Sequence, residues 1–202
     1  YSLKKKLKDI LSEKSQILES LSKNYKYNFD KKKLLKYRKF KNIRVIGMGG
    51  SILGTQAIYN FLNYKIKKKF YFLDNLNSYK YKKKEKKYLN IIVSKSGNTL
   101  ETIFNANIFI KKNDKNIFIT ENKKTYLFNL AQELKSEIIH HNNFIGGRYS
   151  VLSEVGMLPA ELMGLKTNNF KQYNNLIKNN LFLNTLINNV QSTLNCIKNK
   201  KY

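Results

Sequence analysis

The stretch I-I-V-S-K-S-G-N-T-L-E-T, Ile91 to Thr102, decides how the chain is read. An apolar run ends at Val93, hydroxyls and a glycine follow, and from Thr99 the positions Leu100, Ile103, Phe104, Ala106, Asn107 and Ile108 recur at helical spacing. The order is strand, turn, helix. Ser94, Ser96 and Thr99 supply short hydroxyls, and Gly97 lets backbone come close to a ligand. A helix starting there presents unpaired N–H groups and the positive end of its dipole, which suits an anion and above all a phosphate. A charge-assisted hydrogen bond contributes roughly 1.5–3 kcal/mol and a helix terminus about 0.3–1 kcal/mol, so a handful of donors holds a dianion without a metal. The same residues also suit an ordinary capped helix, with Thr99 as the cap and Thr102 as its partner.

On both sides of this turn, short apolar runs alternate with helical patterns. Upstream, Ile43–Ile46 reads as a buried strand, followed by the turn G-M-G-G-S at Gly47–Ser51 and a helix through Ala57, Ile58, Phe61 and Leu62. Phe70–Leu73 is a second strand, Ser78–Tyr88 a lysine-rich helical crossover, and Leu89–Val93 the third strand. Downstream come a strand at Asn116–Thr120, a helix at Thr125–Leu134 and a strand at Glu137–His140. The spacing of Leu3, Leu7, Ile10, Leu11, Ile17, Leu18 and Leu21 predicts one amphipathic helix from Ser2 to about Lys23. Tyr25–Lys41 reads as a basic connector with a turn of helix near Leu34 and Leu35, and the apolar positions between Asn168 and Cys196 predict one or two helices. The fold class is α/β: a five-stranded parallel sheet flanked by helices. In such sheets ligands sit outside the carboxyl ends of the strands, where both glycine- and serine-bearing turns fall.

At 202 residues the chain buries one full core, with no room for two complete domains. Its 39 Lys and Arg against 13 Asp and Glu give a net charge of +26, a balance that raises nucleic acid or an anionic membrane as partners. The lysines, however, are scattered through every segment, and Lys, Asn, Ile, Tyr and Phe are abundant together, as an A/T-rich coding sequence supplies them. No specific nucleic-acid partner is expected. Cys196 is alone, which excludes a disulfide framework and a cysteine-based zinc site and fits a reducing, cytoplasmic setting. No run approaches the ~18 apolar residues of a membrane span, so no membrane partner is expected. The start at Tyr1, without methionine, points to a missing beginning.

Gly47-Met48-Gly49-Gly50-Ser51 approaches a dinucleotide fingerprint, and Asp74 ends the second strand where a ribose-binding acid would sit, but Ile52 holds the place of the third glycine. No Walker lysine is present either. Gly49, Gly50 and Ser51 read instead as the first of two turns converging on one phosphorylated ligand. Arg148 follows Gly146 and Gly147, whose lack of side chains clears space for a guanidinium to donate two bonds to adjacent oxygens. His140 and His141 alternate in and out at a strand end and are weak candidates for catalysis or metal binding. For Glu101 and Glu154 structural roles are preferred; an acid in a first helical turn, as Glu101 is, stabilises the dipole in any case.

Taken together and in order, G-M-G-G-S-I-L-G (Gly47–Gly54), S-K-S-G-N-T-L-E-T (Ser94–Thr102) and N-F-I-G-G-R-Y-S-V-L-S-E-V-G (Asn143–Gly156) closely resemble the phosphoglucose isomerase family, over about Ile43–Gly164. The resemblance implies the sugar isomerase (SIS) fold, a flavodoxin-like three-layer sandwich, and interconversion of glucose 6-phosphate and fructose 6-phosphate through an enediolate, without a cofactor. It implies Ser51, Ser94, Lys95, Ser96 and Thr99 around the phosphate, Lys95 mainly through its backbone. Gly49, Gly50 and Gly147 would lie close to the sugar, with Arg148 stabilising the enediolate oxygens. It also implies a homodimer when full length, and a division into a helical segment (1–42), a sugar isomerase domain (43–165) and the helical start (166–202) of a connection to a second such domain. The family's glutamate base and ring-opening histidine have no matching motif here and are expected beyond Tyr202. The alternative is a non-catalytic sugar-phosphate sensor built on a lone sugar isomerase domain.

Overall fold

Five runs rich in β-branched and aromatic residues form strands in the computed structural model, which describes residues 3–13, 15–76, 87–111, 114–171, 176 and 178–199. They are β1 (Asn42–Gly47), β2 (Lys69–Leu73), β3 (Tyr88–Val93), β4 (Lys115–Thr120) and β5 (Glu137–His140). All pair in parallel in the order β2-β1-β3-β4-β5, the expected sheet. The chain runs outward from β1 to β2 and then returns across β1 to β3, so the winding direction reverses between β1 and β3. In open α/β sheets ligands bind at such a reversal, outside the carboxyl ends of the strands.

Alternation sends the side chains of each strand to two covered faces. On one face, Ile46, Leu73, Ile92 and Phe118 form a core with Ala106 of α4 (Leu100–Phe109) and Leu127 and Ala131 of α5 (Tyr126–Glu133). Nearer the start of the strands the same face carries a polar layer, because register sets Arg44, Asn90 and Asn116 side by side. The Arg44 guanidinium bonds Asn90 Oδ1 at 3.0 Å and the Phe109 carbonyl at 2.9 Å, and it lies over the Tyr88 ring at 4.2 Å. A buried cation is tolerated there because it neutralises the carbonyl end of α4.

The other face is covered by α3 (Leu53–Phe61), whose Tyr59 ring lies 5.4 Å from Phe70 and 5.7 Å from Phe72. Against α3 packs α6 (Glu154–Met163), a helix with Pro159 in its interior. Proline has no N–H, so the Val155 carbonyl one turn earlier loses its helical donor. Thr55 of α3 replaces it, its hydroxyl donating to Val155 O at 3.1 Å. Gly164, at φ 86°, ends α6 in the left-handed conformation.

The chain divides into two compact units, residues 25–167 and residues 1–24 with 168–202. The connector 25–42 therefore lies with the sheet: Tyr37 OH and Lys36 Nζ both donate to Glu137 Oε2 at 2.8 Å. In the other unit the single helix expected from Ser2 to Lys23 is two, α1 (Leu3–Ser12) and α2 (Gln16–Ser20). The break comes from serines whose side chains compete for backbone groups: Ser12 Oγ bonds the Asp9 carbonyl, and Ser15 caps the second helix by accepting from Leu18 N–H. A short 3-10 turn, Thr167–Phe170, is followed by α7 (Asn180–Lys198), and α1 packs on α7. The crossover expected over Ser78–Tyr88 lies outside the described residues, apart from Lys87 and Tyr88. Tyr173 and Ile177 of the expected C-terminal pattern also lie outside them. Among the described residues no helix is long and apolar enough to cross a membrane.

Thr55→Val keeps the shape of the side chain but leaves the buried Val155 carbonyl without a donor, and the expected cost is about 1–3 kcal/mol in urea unfolding. In a Pro159→Ala background, where position 159 regains its N–H, the same substitution should cost less.

Candidate functional site

Three loops meet at the carboxyl ends of β1, β3 and β5. The first, Gly47–Ser51, leaves β1 and tightens into a 3-10 turn at Gly49–Ser51, with Gly49 in the left-handed region at φ 55°. The second, Ser94–Thr99, leaves β3. Gly47 and Val93 are register partners, and a side-chain carbon on Gly47 would stand 3.0 Å from Val93 O, so the two turns start side by side. The third loop follows β5 and enters a 3-10 helix at Gly147–Leu152. It is seated directly on the first, since a Cβ on Gly50 would come within 2.3 Å of the Gly147 carbonyl oxygen and 3.1 Å of Arg148 N. Ser150 Oγ joins the same two loops, lying 3.2 Å from Gly50 O and 2.7 Å from Gly147 O.

The hydroxyls of the second loop converge. Ser94 Oγ lies 3.0 Å from Thr99 Oγ1, Ser96 Oγ lies 3.5 Å from it, and Ser94 Oγ accepts the Gly97 N–H at 3.2 Å. Thr99 holds the N-cap position of α4, as expected, but no side chain caps that helix. Its hydroxyl is turned to Ser94 instead, so the first-turn N–H groups keep the positive field of the helix end. Thr102, the expected capping partner, is buried with its hydroxyl unbonded. Gly97 is at φ 67°, and a Cβ there would stand 2.0 Å from Thr125 Oγ1, so both conformation and space require glycine. The start of α5 holds the turn from behind: Leu127 N–H donates to Gly97 O at 3.1 Å and Tyr126 N–H to Asn98 Oδ1 at 3.1 Å.

Arg148 is exposed and its guanidinium bonds no described residue. A five-donor cation without a partner among the described residues has the geometry for bidentate bonding to adjacent anionic oxygens. Lys95, by contrast, is engaged: its Nζ donates to Asn143 O at 2.7 Å and lies 3.7 Å from Glu121 Oε1. Among the described residues no group of histidines, cysteines and acids could hold a metal ion.

The flanking acids and histidines have structural partners. Glu154 is wholly buried, accepting from Tyr25 OH at 3.0 Å and Asn28 N–H at 2.9 Å; burial together with that carboxylate pushes the Tyr25 phenol far up. His141 lies one residue past β5, is buried, and has Nδ1 3.1 Å from Asn142 O. Burial lowers its pKa against the opposing pull of the Asn142 carbonyl and Glu154. Glu121, unremarked in the sequence, directly follows β4 with its carboxyl held below the usual range, first by the hydrogen bond from Lys123 and then by the charges of Lys123, Lys95 and His141. A lone acid after a strand gives no sequence signal, because its partners come from other segments.

The chain matches the phosphoglucose isomerase family over residues 8–191. It belongs to that family. Among relatives, glucose-6-phosphate isomerase of Methanocaldococcus jannaschii is 38% identical over 153 residues, which is 70% of this chain and 37% of that protein. The enzyme of the same name from Acholeplasma laidlawii is 36% identical over 163 residues, 68% of this chain and 38% of the relative. The chain thus spans somewhat over a third of the length of these two relatives. Its fold is similar to that of hypothetical protein TT0462 from Thermus thermophilus, with TM-score 0.64 and 24% identity over 81% of this chain and 43% of that one. It is also similar to the C-terminal domain of glucosamine-fructose-6-phosphate aminotransferase from Francisella tularensis, with TM-score 0.52 and 17% identity over 78% of this chain and 46% of that domain. The α/β fold read from the sequence is therefore shared with both of these structures.

The buried His141 sets a pH test. With its folded pKa below the ordinary 6.5, the unfolded chain takes up more protons as pH falls past that value, so stability drops on acidification. Glu121, also lowered, adds a second loss below the usual carboxylate range. Urea midpoints should fall from about pH 6.5 downward, and His141→Asn should flatten that first slope while leaving the second.

Proposed function

We propose that this chain is the phosphate- and enediolate-binding portion of a glucose-6-phosphate isomerase, interconverting glucose 6-phosphate and fructose 6-phosphate in glycolysis and gluconeogenesis. The observation that carries the reading is the meeting of three loops at the carboxyl end of the sheet, with Ser51 on one, the Ser94–Ser96–Thr99 hydroxyls on the second and, on the third, Arg148, which has no partner among the described residues. A sugar phosphate has the matching chemistry, a dianion at one end and carbonyl and hydroxyl oxygens at the other.

In this reading the Ser51, Ser94, Ser96 and Thr99 hydroxyls, the Lys95 backbone and the N–H groups opening α4 receive the phosphate. Gly49, Gly50 and Gly147 allow the sugar to approach the backbone, and Arg148 stabilises the negative oxygens that develop as a proton leaves C2. The base that takes that proton is not assigned to this chain. Glu154 is occupied by Tyr25 and Asn28, and Glu121 by Lys123 and Lys95. A glutamate base and a ring-opening histidine belong, on this proposal, to a second sugar isomerase domain, after a division of this chain at 1–42, 43–165 and 166–202. The whole enzyme is proposed to be a cytoplasmic homodimer acting without a cofactor.

Calorimetry tests the binding half of the reading. Ser94→Ala and Thr99→Ala should each weaken glucose 6-phosphate binding by roughly 1–3 kcal/mol, and unchanged affinity would remove the phosphate assignment. Since general acid–base catalysis contributes about 10²–10⁴-fold, the 202-residue chain should bind the sugar phosphate with little turnover. In an enzyme that also carries the base, Arg148→Ala should lower kcat more than it raises KM; an effect on KM alone would argue against the enediolate role.

A further inference from the structure

The side chain of Lys95 has a place in the site that its backbone role leaves unexplained. Two of the three loop-to-loop contacts are made by backbone or small side chains: Gly47 against Val93, and Gly50 against Gly147 and Ser150. The second and third loops are joined differently. Lys95 reaches out of the hydroxyl turn, its Nζ donating to Asn143 O at 2.7 Å, three residues before the Gly146–Gly147–Arg148 sequence. Its aim is fixed from below. Glu121 is buried, its own N–H donates to Lys95 O at 3.2 Å, and its carboxylate lies 3.7 Å from Lys95 Nζ. Lys123 also bonds that carboxylate at 2.7 Å, so the charge of Glu121 is balanced independently of the link to Asn143.

We infer that the Lys95 ammonium is a positioning residue that latches the arginine-bearing loop onto the hydroxyl turn, so that Arg148 is held at a set distance from the phosphate site. The latch rests on the proposed sugar-phosphate reading only for its consequence in binding; its effect on the loop does not depend on any ligand. A charged donor on a single backbone carbonyl is a strong but breakable restraint. Removing it frees residues 143–149 without disturbing the strands or the hydroxyls.

Amide hydrogen exchange of the ligand-free chain tests the latch directly. In Lys95→Met, which keeps the length and loses the charge, exchange across 143–149 should accelerate about tenfold, with β1, β3 and β4 unchanged. Lys123→Met, which strips Glu121 of its other partner, should leave those residues as they are. Unaltered exchange in Lys95→Met, or equal acceleration in both variants, overturns the latch. So does acceleration spread through the strands, which marks a general loss of stability. Titrations with inorganic phosphate and with glucose 6-phosphate then separate the latch from the functional reading. Lys95→Met should weaken the sugar phosphate about tenfold and inorganic phosphate less than about twofold, and Arg148→Ala added to it should cost little more, because both act through one guanidinium. Equal weakening of both ligands overturns the latch in favour of direct attraction between Lys95 and the anion. Accelerated exchange in a chain that binds neither ligand supports the latch and removes the sugar-phosphate reading.

Discussion

The site depends on a place where no side chain fits. Gly50 lies so close to the Gly147 carbonyl that a single added carbon would come within 2.3 Å of it. That approach seats the loop after β5 on the loop after β1, although nearly a hundred residues and four strands separate them in the chain. Backbone cannot give way as a long side chain can, so any residue but glycine at position 50 pushes the arginine-bearing loop off its seat. The rest of the site follows from this contact together with the order of the sheet, which sets β1 beside β3 and so puts the hydroxyl turn next to the same glycines.

Around that seat the protein uses polar groups as joints. The Thr55 hydroxyl supplies the donor that Pro159 removes from α6, Glu154 fastens the segment at Tyr25 and Asn28 to the start of the same helix, and Arg44 closes the carbonyl end of α4. The Thr55 hydroxyl and the Glu154 carboxylate have their partners close at hand, as a low-dielectric interior demands. The exposed surface is different in kind. Its many lysines are mostly exposed among the described residues. Arg148 stands apart from both classes: it is exposed, unbonded among the described residues and set in a turn fixed by its neighbours. On the proposed reading, the partner of that cation is the sugar phosphate.

Much of the architecture was legible before any coordinates. The apolar runs at Ile43, Phe70, Leu89, Asn116 and Glu137 are strands, because β-branched and aromatic residues in short stretches between turns have no other way to be buried. The N-terminal helix was misread as continuous because Ser12 and Ser15 act through local hydrogen bonds that hydrophobic periodicity does not register. The connector from Tyr25 to Lys41 carried no periodic signal, yet its upper end is tied to Glu154, His140 and Asn142, and its lower end to Glu137. Thr99 was placed correctly as a cap position, but not the turning of its hydroxyl toward Ser94, since the rotamer depends on the loop as a whole.

What the residues alone determined is the chemistry: strand-turn-helix units, glycines where backbone must come close, hydroxyls that can face an anion, and one arginine flanked by space. These properties are local, set by side-chain type and by the few φ values a turn permits. Only the tertiary structure decided which of these groups share a site, that Lys95 spends its charge on Asn143, and that Glu154, His141 and Glu121 are held by structural partners. Those facts rest on strand order and on contacts between residues far apart in the chain, and no pattern along the sequence encodes a distance across the fold.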